Sequence, residues 1–158
     1  MLTLPDIVAP GLDVVFCAPA VGECAAMRGH YYAGPGNVFW RLLHQAGFTP
    51  HQLEPREDDT APTYGIGLVD VVRTSPPDRR PERFDVAALV QTLGQCRPRW
   101  VAFNGKHAAT VVARSLGHRP PPLGPLSWSI GGASVFVLPS SSGANQRREY
   151  DGRATRVE

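Results

Sequence analysis

A carboxylate, a pair of aromatic rings and a run of hydroxyls are the groups in this sequence with the clearest chemical use. Asp70 lies inside the apolar run YGIGLVDVV, residues 64–72. A carboxylate buried without a partner is costly. Asp70 therefore either caps a backbone N–H at a strand end or supplies a fixed negative charge to a reaction. Tyr31 and Tyr32 offer a flat face to a planar ligand, and they fit core or lid packing equally well. The segment Pro139-Ser140-Ser141-Ser142-Gly143 offers hydroxyls and backbone N–H groups to an anion. Other schemes find no support. There is no G-x-S-x-G elbow, no P-loop and no H-E-x-x-H. His30, His44, His51, His107 and His118 lack ligand spacing and read as surface or helix residues. Cys17 reads as inert packing in an apolar strand, and Cys24 falls in a loop.

These groups need a scaffold, and the apolar pattern supplies one. Val14 to Cys17 reads as a buried strand that opens into a small-residue loop, Ala18 to Gly22. A long structured loop follows, with helical spacing starting only at Val38-Phe39-Trp40 and closing at Gly47. Thr49 to Leu53 reads as a short helical turn, and Glu54 to Thr63 as an exposed, Pro-punctuated loop. The run around Asp70 is a second strand. Phe84 to Cys96 reads as a helix, Trp100 to Phe103 as a third strand, and about Lys106 to Leu116 as another helix. Ser127 to Ile130 and Ala133 to Leu138 flank Gly131-Gly132, a hairpin turn. Strands alternating with helices imply a largely parallel sheet with helices on both faces. Ligands bind such sheets at the carboxyl ends of the strands. The Ala18 to Gly22 loop, the Asp70 region and the Pro139 to Ala144 loop should meet there.

The 158 residues fit one domain, 1–158, able to bury a core unaided. Gly and Pro number 16 each, so shaped loops are expected. Net charge is +2, with Lys106 the single lysine among many arginines. That balance is weak evidence for nucleic acid. Arg79 and Arg80 in TSPPDRRP fit a solvated loop or a phosphate contact. No apolar run approaches a membrane span and no signal-peptide pattern opens the chain. Three cysteines, an odd count without metal spacing, suggest a reducing cytosol and no disulfide framework.

Taken in order, IVAPGLDVVFC, YYAGPGNVFW, QAGFTPHQL, YGIGLVDVV, VAFNGK and VLPSSSGA resemble the bacterial mismatch-specific uracil-DNA glycosylases. These are relatives of thymine-DNA glycosylase within the uracil-DNA glycosylase superfamily. The likeness runs from about Ile7 to Ala144. It implies a three-layer α/β/α sandwich with a four- or five-stranded, mostly parallel central sheet. It implies DNA repair by base flipping, hydrolytic excision of uracil from DNA and an abasic-site product. No metal or redox cofactor is implied, no membrane is involved, a monomer is the default, and a cytoplasmic, nucleoid-associated location is expected.

Carried over by position, Tyr32 stacks on the flipped base, and Ala18, Ala20, Gly22 and Asn104 belong to the base pocket. Ser140, Ser141 and Ser142 contact flanking phosphates, with Lys106 and Arg147 nearby. Gly143, Ala144, Asn145 and Gln146 fall in the loop that wedges into the duplex. The first motif departs from the family's Gly-Ile-Asn-Pro-Gly: Ala18-Pro19-Ala20-Val21-Gly22 puts Ala20 where an Asn holds the attacking water. Asp70 is the expected replacement, positioning water and stabilising the cation that develops at C1′, with Glu23 the other carboxylate in the loop. The rivals are a non-catalytic binder of uracil-containing or abasic DNA, a glycosylase for another deaminated base such as hypoxanthine, and an unrelated nucleotide-binding domain.

Overall fold

The computed structural model describes residues 3–20, 22–72, 84–143 and 145. Five strands form one sheet: β1 (Val14–Ala18), β2 (Ile66–Asp70), β3 (Trp100–Asn104), β4 (Gly124–Ile130) and β5 (Ala133–Leu138). Their spatial order is β2-β1-β3-β5-β4, and only the β4–β5 hairpin is antiparallel. The expected architecture is therefore the observed one.

Alternation along the strands decides which helices lie on which face. Val15, Cys17, Val69, Val101, Phe103, Val135 and Val137 point to one side. They pack there against Leu89 and Leu93 of α3 (Val86–Cys96) and Ala109 and Val112 of α4 (Lys106–Ser115). Val14, Phe16, Ile66, Leu68 and Ala102 point to the other, against Phe39, Trp40 and Leu43 of α2 (Phe39–Gln45). Each fully buried side chain of this size contributes about 1.5–3 kcal/mol relative to exposure. Asp85 caps α3, its side chain accepting from the Ala88 N–H at 2.9 Å.

Three local expectations differ from the structure. A short helix, α1 (Glu23–Arg28), stands in the loop that was expected to run unbroken to Val38. Six residues are too few to show a period, and Ala25 and Ala26 favour helix without marking a face. A 3-10 helix, Pro55–Tyr64, replaces the expected exposed loop. It starts with a capping box between Glu54 and Glu57 and with Pro55 in its first turn. It buries Asp58 and Ala61. Thr49 to Leu53 is irregular rather than helical, because the Thr49 hydroxyl donates to the His51 carbonyl at 2.7 Å.

The parallel register brings Ala18, Asp70, Asn104 and Leu138 to the same edge. The chain steps from β1 to β2 on one side and then crosses to β3 on the other, so β1 and β3 flank the point where strand order reverses.

Candidate active site

A cavity of about 260 Å³ opens at that reversal point. Ala18, Ala20 and Gly22 form one wall, Asp70 and Asn104 the strand-end floor, and Tyr32 and the serine run the remaining sides. The three loops expected to converge do converge here.

The aromatic side is built by Tyr31. Its N–H donates to Asp58 Oδ2 at 2.9 Å, its hydroxyl to the Pro5 carbonyl at 3.0 Å, and its carbonyl accepts from the Trp40 indole at 3.1 Å. Asp58 Oδ1 lies 3.2 Å from His30 Nδ1. Tyr31 is thus core, and these bonds pin the peptide leading into Tyr32. Tyr32 holds φ +56, left-handed backbone that costs a residue with a Cβ roughly 1–2 kcal/mol. One face of its ring stacks on Phe39, with centroids 3.9 Å apart and planes 25° apart. The residue remains half-buried and lines the cavity. Its hydroxyl is sealed from solvent. Burial first, and the negative charge of Asp70 second, push the phenol well above its ordinary range; the nearby Asn104 side chain opposes the rise. The phenol is therefore a neutral group.

A directional hydrogen-bond chain ties the remaining walls. The Ser141 N–H donates to Asn104 Oδ1 at 2.9 Å, which fixes the Asn104 amide, and Asn104 Nδ2 donates to Ser141 Oγ at 2.9 Å. Ser141 Oγ donates in turn to Asn37 Oδ1 at 2.8 Å. The same oxygen accepts from the Phe39 N–H at 3.0 Å, starting α2. The Ser141 carbonyl accepts from the Val38 N–H at 3.0 Å. Ser141 is buried with its polar groups committed inside the protein. Ser140 and Ser142 beside it are half-buried and also line the cavity.

Asp70 pairs with Ala18 across the sheet and is 3% exposed. Both carboxylate oxygens are shielded from bulk solvent, yet the residue is part of the cavity wall. Among the described residues no three His, Cys, Asp or Glu side chains gather as a metal ligand set, and no helix is long and apolar enough to cross a membrane.

The family model of the Uracil DNA glycosylase superfamily matches residues 5–158. The chain belongs to that superfamily. A solution NMR structure of a candidate uracil DNA glycosylase from Methanosarcina acetivorans superposes with a TM-score of 0.60 at 24% identity. The match covers 92% of this chain and 86% of that one. At that identity the likeness speaks for the fold.

Ala20 lines the cavity with a methyl group, and Asp70 is the carboxylate among the lining residues. Lys106 opens α4 directly after Asn104 and Gly105. Asn145 braces the serine loop, its amide donating to the Ser140 carbonyl at 2.8 Å. Val21, Ala144, Gln146, Arg147 and Arg148, together with Arg79 and Arg80, lie outside the described residues. Sequence reasoning missed Asp58, whose REDDTAP context carries no signal for a buried carboxylate. Asn37 stands two residues before α2, the position from which an Asn side chain accepts the helix's first N–H, as it does from Phe39. A larger cavity, about 520 Å³, shares Asn104 and Ser141 with the first but is walled chiefly by apolar side chains such as Phe16, Leu42 and Phe136. Asp13 is the one carboxylate among its lining residues.

Proposed function

We propose that the protein is a monofunctional uracil-DNA glycosylase of the mismatch-specific and thymine-DNA glycosylase branch. It flips uracil out of DNA into the 260 Å³ cavity. Water attacks C1′ of the deoxyuridine and the bond from C1′ to N1 breaks. The products are an abasic sugar and uracil; the proton lost by the water neutralises the departing uracil anion. Tyr32 supplies the face on which the base stacks. Asp70 orients the water and stabilises the positive charge growing at C1′. Ala18, Ala20, Gly22 and Asn104 shape the base pocket, while Ser140, Ser142, Lys106, Arg147 and the loop after Gly143 meet the DNA. The reading calls for no metal or redox cofactor and for a monomer.

The observation that carries this reading is Asp70 in the wall of a cavity that also holds a half-open aromatic face, at the strand ends of a superfamily member. A second reading has its own support. Ala20 together with solvent-shielded Asp70 oxygens fits a non-catalytic binder of uracil-containing or abasic DNA. A labelled uracil oligonucleotide, incubated with purified protein and then treated with alkali, separates the two. Strand cleavage identifies the enzyme, and retarded DNA without cleavage identifies the binder.

A further inference from the structure

The loops that face each other across the cavity mouth meet backbone against backbone. Gly36 closes the Gly34-Pro35-Gly36 turn before α2, and Gly143 follows the serine run. A Cβ placed on Gly143 would lie 3.0 Å from the Gly36 carbonyl oxygen and 3.1 Å from both its carbonyl carbon and its Cα. Those atoms are main chain and cannot rotate aside. From the other side, a Cβ on Gly36 would meet the Gly143 Cα at 3.4 Å, and Gly36 holds φ +73, which a side chain strains. The next two residues continue the seam. Asn37 accepts from the Ser141 hydroxyl at 2.8 Å, and the Val38 N–H donates to the Ser141 carbonyl at 3.0 Å. The serine loop is itself braced: the Asn145 N–H donates to the Ser142 carbonyl at 3.1 Å, and the Asn145 amide to the Ser140 carbonyl at 2.8 Å.

The geometry points to Gly36 and Gly143 as positioning residues, whose contact fixes the separation of the aromatic loop from the serine loop and presets the mouth of the base cavity. The consequence for catalysis rests on the glycosylase reading above. In that reaction one nucleotide spans the two loops, with its base against Tyr32 and its phosphates at the serine rim. If the loops moved independently, the sugar would drift relative to Asp70, and a misplacement of about 1 Å costs roughly 10²-fold in rate. A joint made without DNA also spares the complex the entropy of ordering two loops on binding. Gly143 adopts a backbone conformation open to other residues, so it is the close approach that favours glycine there.

The test is Gly143→Ala in the full chain, read in two ways. Amide hydrogen exchange at Val38 reports the joint directly, with Val101 in the sheet interior as the internal reference. Single-turnover excision from a uracil duplex reports the chemistry. The expected result is about tenfold or more faster exchange at Val38, with Val101 unchanged. Excision should slow by roughly 10–10²-fold. Gly36→Ala attacks the same joint from its other side and is expected to speed Val38 exchange too, which keeps the test open if either variant folds poorly. Unchanged Val38 exchange in both variants overturns the joint, whatever the protein acts on. Faster exchange with an undiminished excision rate overturns its role in catalysis. Absence of excision by the wild type defeats the glycosylase reading instead, and Val38 exchange still decides the joint.

Discussion

Replacing Tyr32 separates two contributions made by one side chain. The ring stacks on Phe39 at 3.9 Å, and the residue lines the cavity. The hydroxyl is buried and meets no partner in hydrogen-bonding geometry among the described residues. A buried hydroxyl in that state costs about 1–3 kcal/mol. Tyr32→Phe removes that cost and keeps the ring. With Asn104 nearby the gain sits at the lower end, about 1 kcal/mol, or roughly 2–4 °C in melting temperature for a chain of this size. Excision should be largely retained. Tyr32→Ala removes the ring. A stacked base is worth about 1–3 kcal/mol, so turnover should fall roughly 5- to 150-fold. Truncating a buried aromatic costs about 3–5 kcal/mol, and the half-exposed Tyr32 belongs at the low end. Because φ is +56, Tyr32→Gly should be the more stable of the two truncations by about 1 kcal/mol, reversing the usual order. Thermal melts and single-turnover excision measure all of this. A lower melting temperature with lost excision in Tyr32→Phe would show that the hydroxyl is bonded and used. Wild-type excision by Tyr32→Ala would remove the ring as the stacking platform.

The raised phenol of Tyr32 predicts an alkaline limb in stability. The contribution is full below the ordinary value of 10.0 and falls as pH climbs past it, since the unfolded chain releases the proton while the folded chain keeps it. The loss reaches about 1.4 kcal/mol per pH unit, and melts at about pH 9 and pH 11 should show that part of it absent from Tyr32→Phe. Asp58→Ala strips the buried Tyr31 N–H of its acceptor. It should cost about 1–3 kcal/mol in denaturant titrations and slow excision by loosening Tyr32; an unchanged midpoint would refute the pinning role. Affinity for DNA should fall with salt through counterion release, with charge reversal at Arg147 and Arg148 flattening the slope. Ser140→Ala and Ser142→Ala should lower affinity without changing the slope; a salt-independent affinity counts against a phosphate clamp.

The fold was legible because strands and long helices carry their own period. The short apolar runs VVFC, the stretch around Asp70 and ASVFVL declared buried strands, and Val86, Leu89 and Leu93 declared a helix face. Glycine and proline punctuation marked the loops that meet at the cavity. What stayed hidden was whatever depends on partners distant in sequence. Asp58 looks like one more acid in a polar loop until Tyr31 and His30 fold against it. Ser141 looks like its neighbours Ser140 and Ser142, and only Asn104 and Asn37 turn it inward. Helix α1 was missed because six residues show no period. Asp70 stands out in the sequence because a carboxylate in an apolar run is costly to bury, and in the structure it lines the cavity.

The central claim is that Asp70 does the work of the missing motif amide. The most direct test is single-turnover excision from an end-labelled duplex with one uracil, comparing wild type with Asp70→Ala and Asp70→Asn after melts establish that all are folded. The account predicts strand cleavage after alkali for wild type and a loss of about 10²–10³ in rate for Asp70→Ala, with uracil-DNA binding retained. Asp70→Asn should be partly active if positioning the water dominates and nearly dead if charge dominates. A full excision rate in a folded Asp70→Ala variant would contradict the account and turn attention to Glu23.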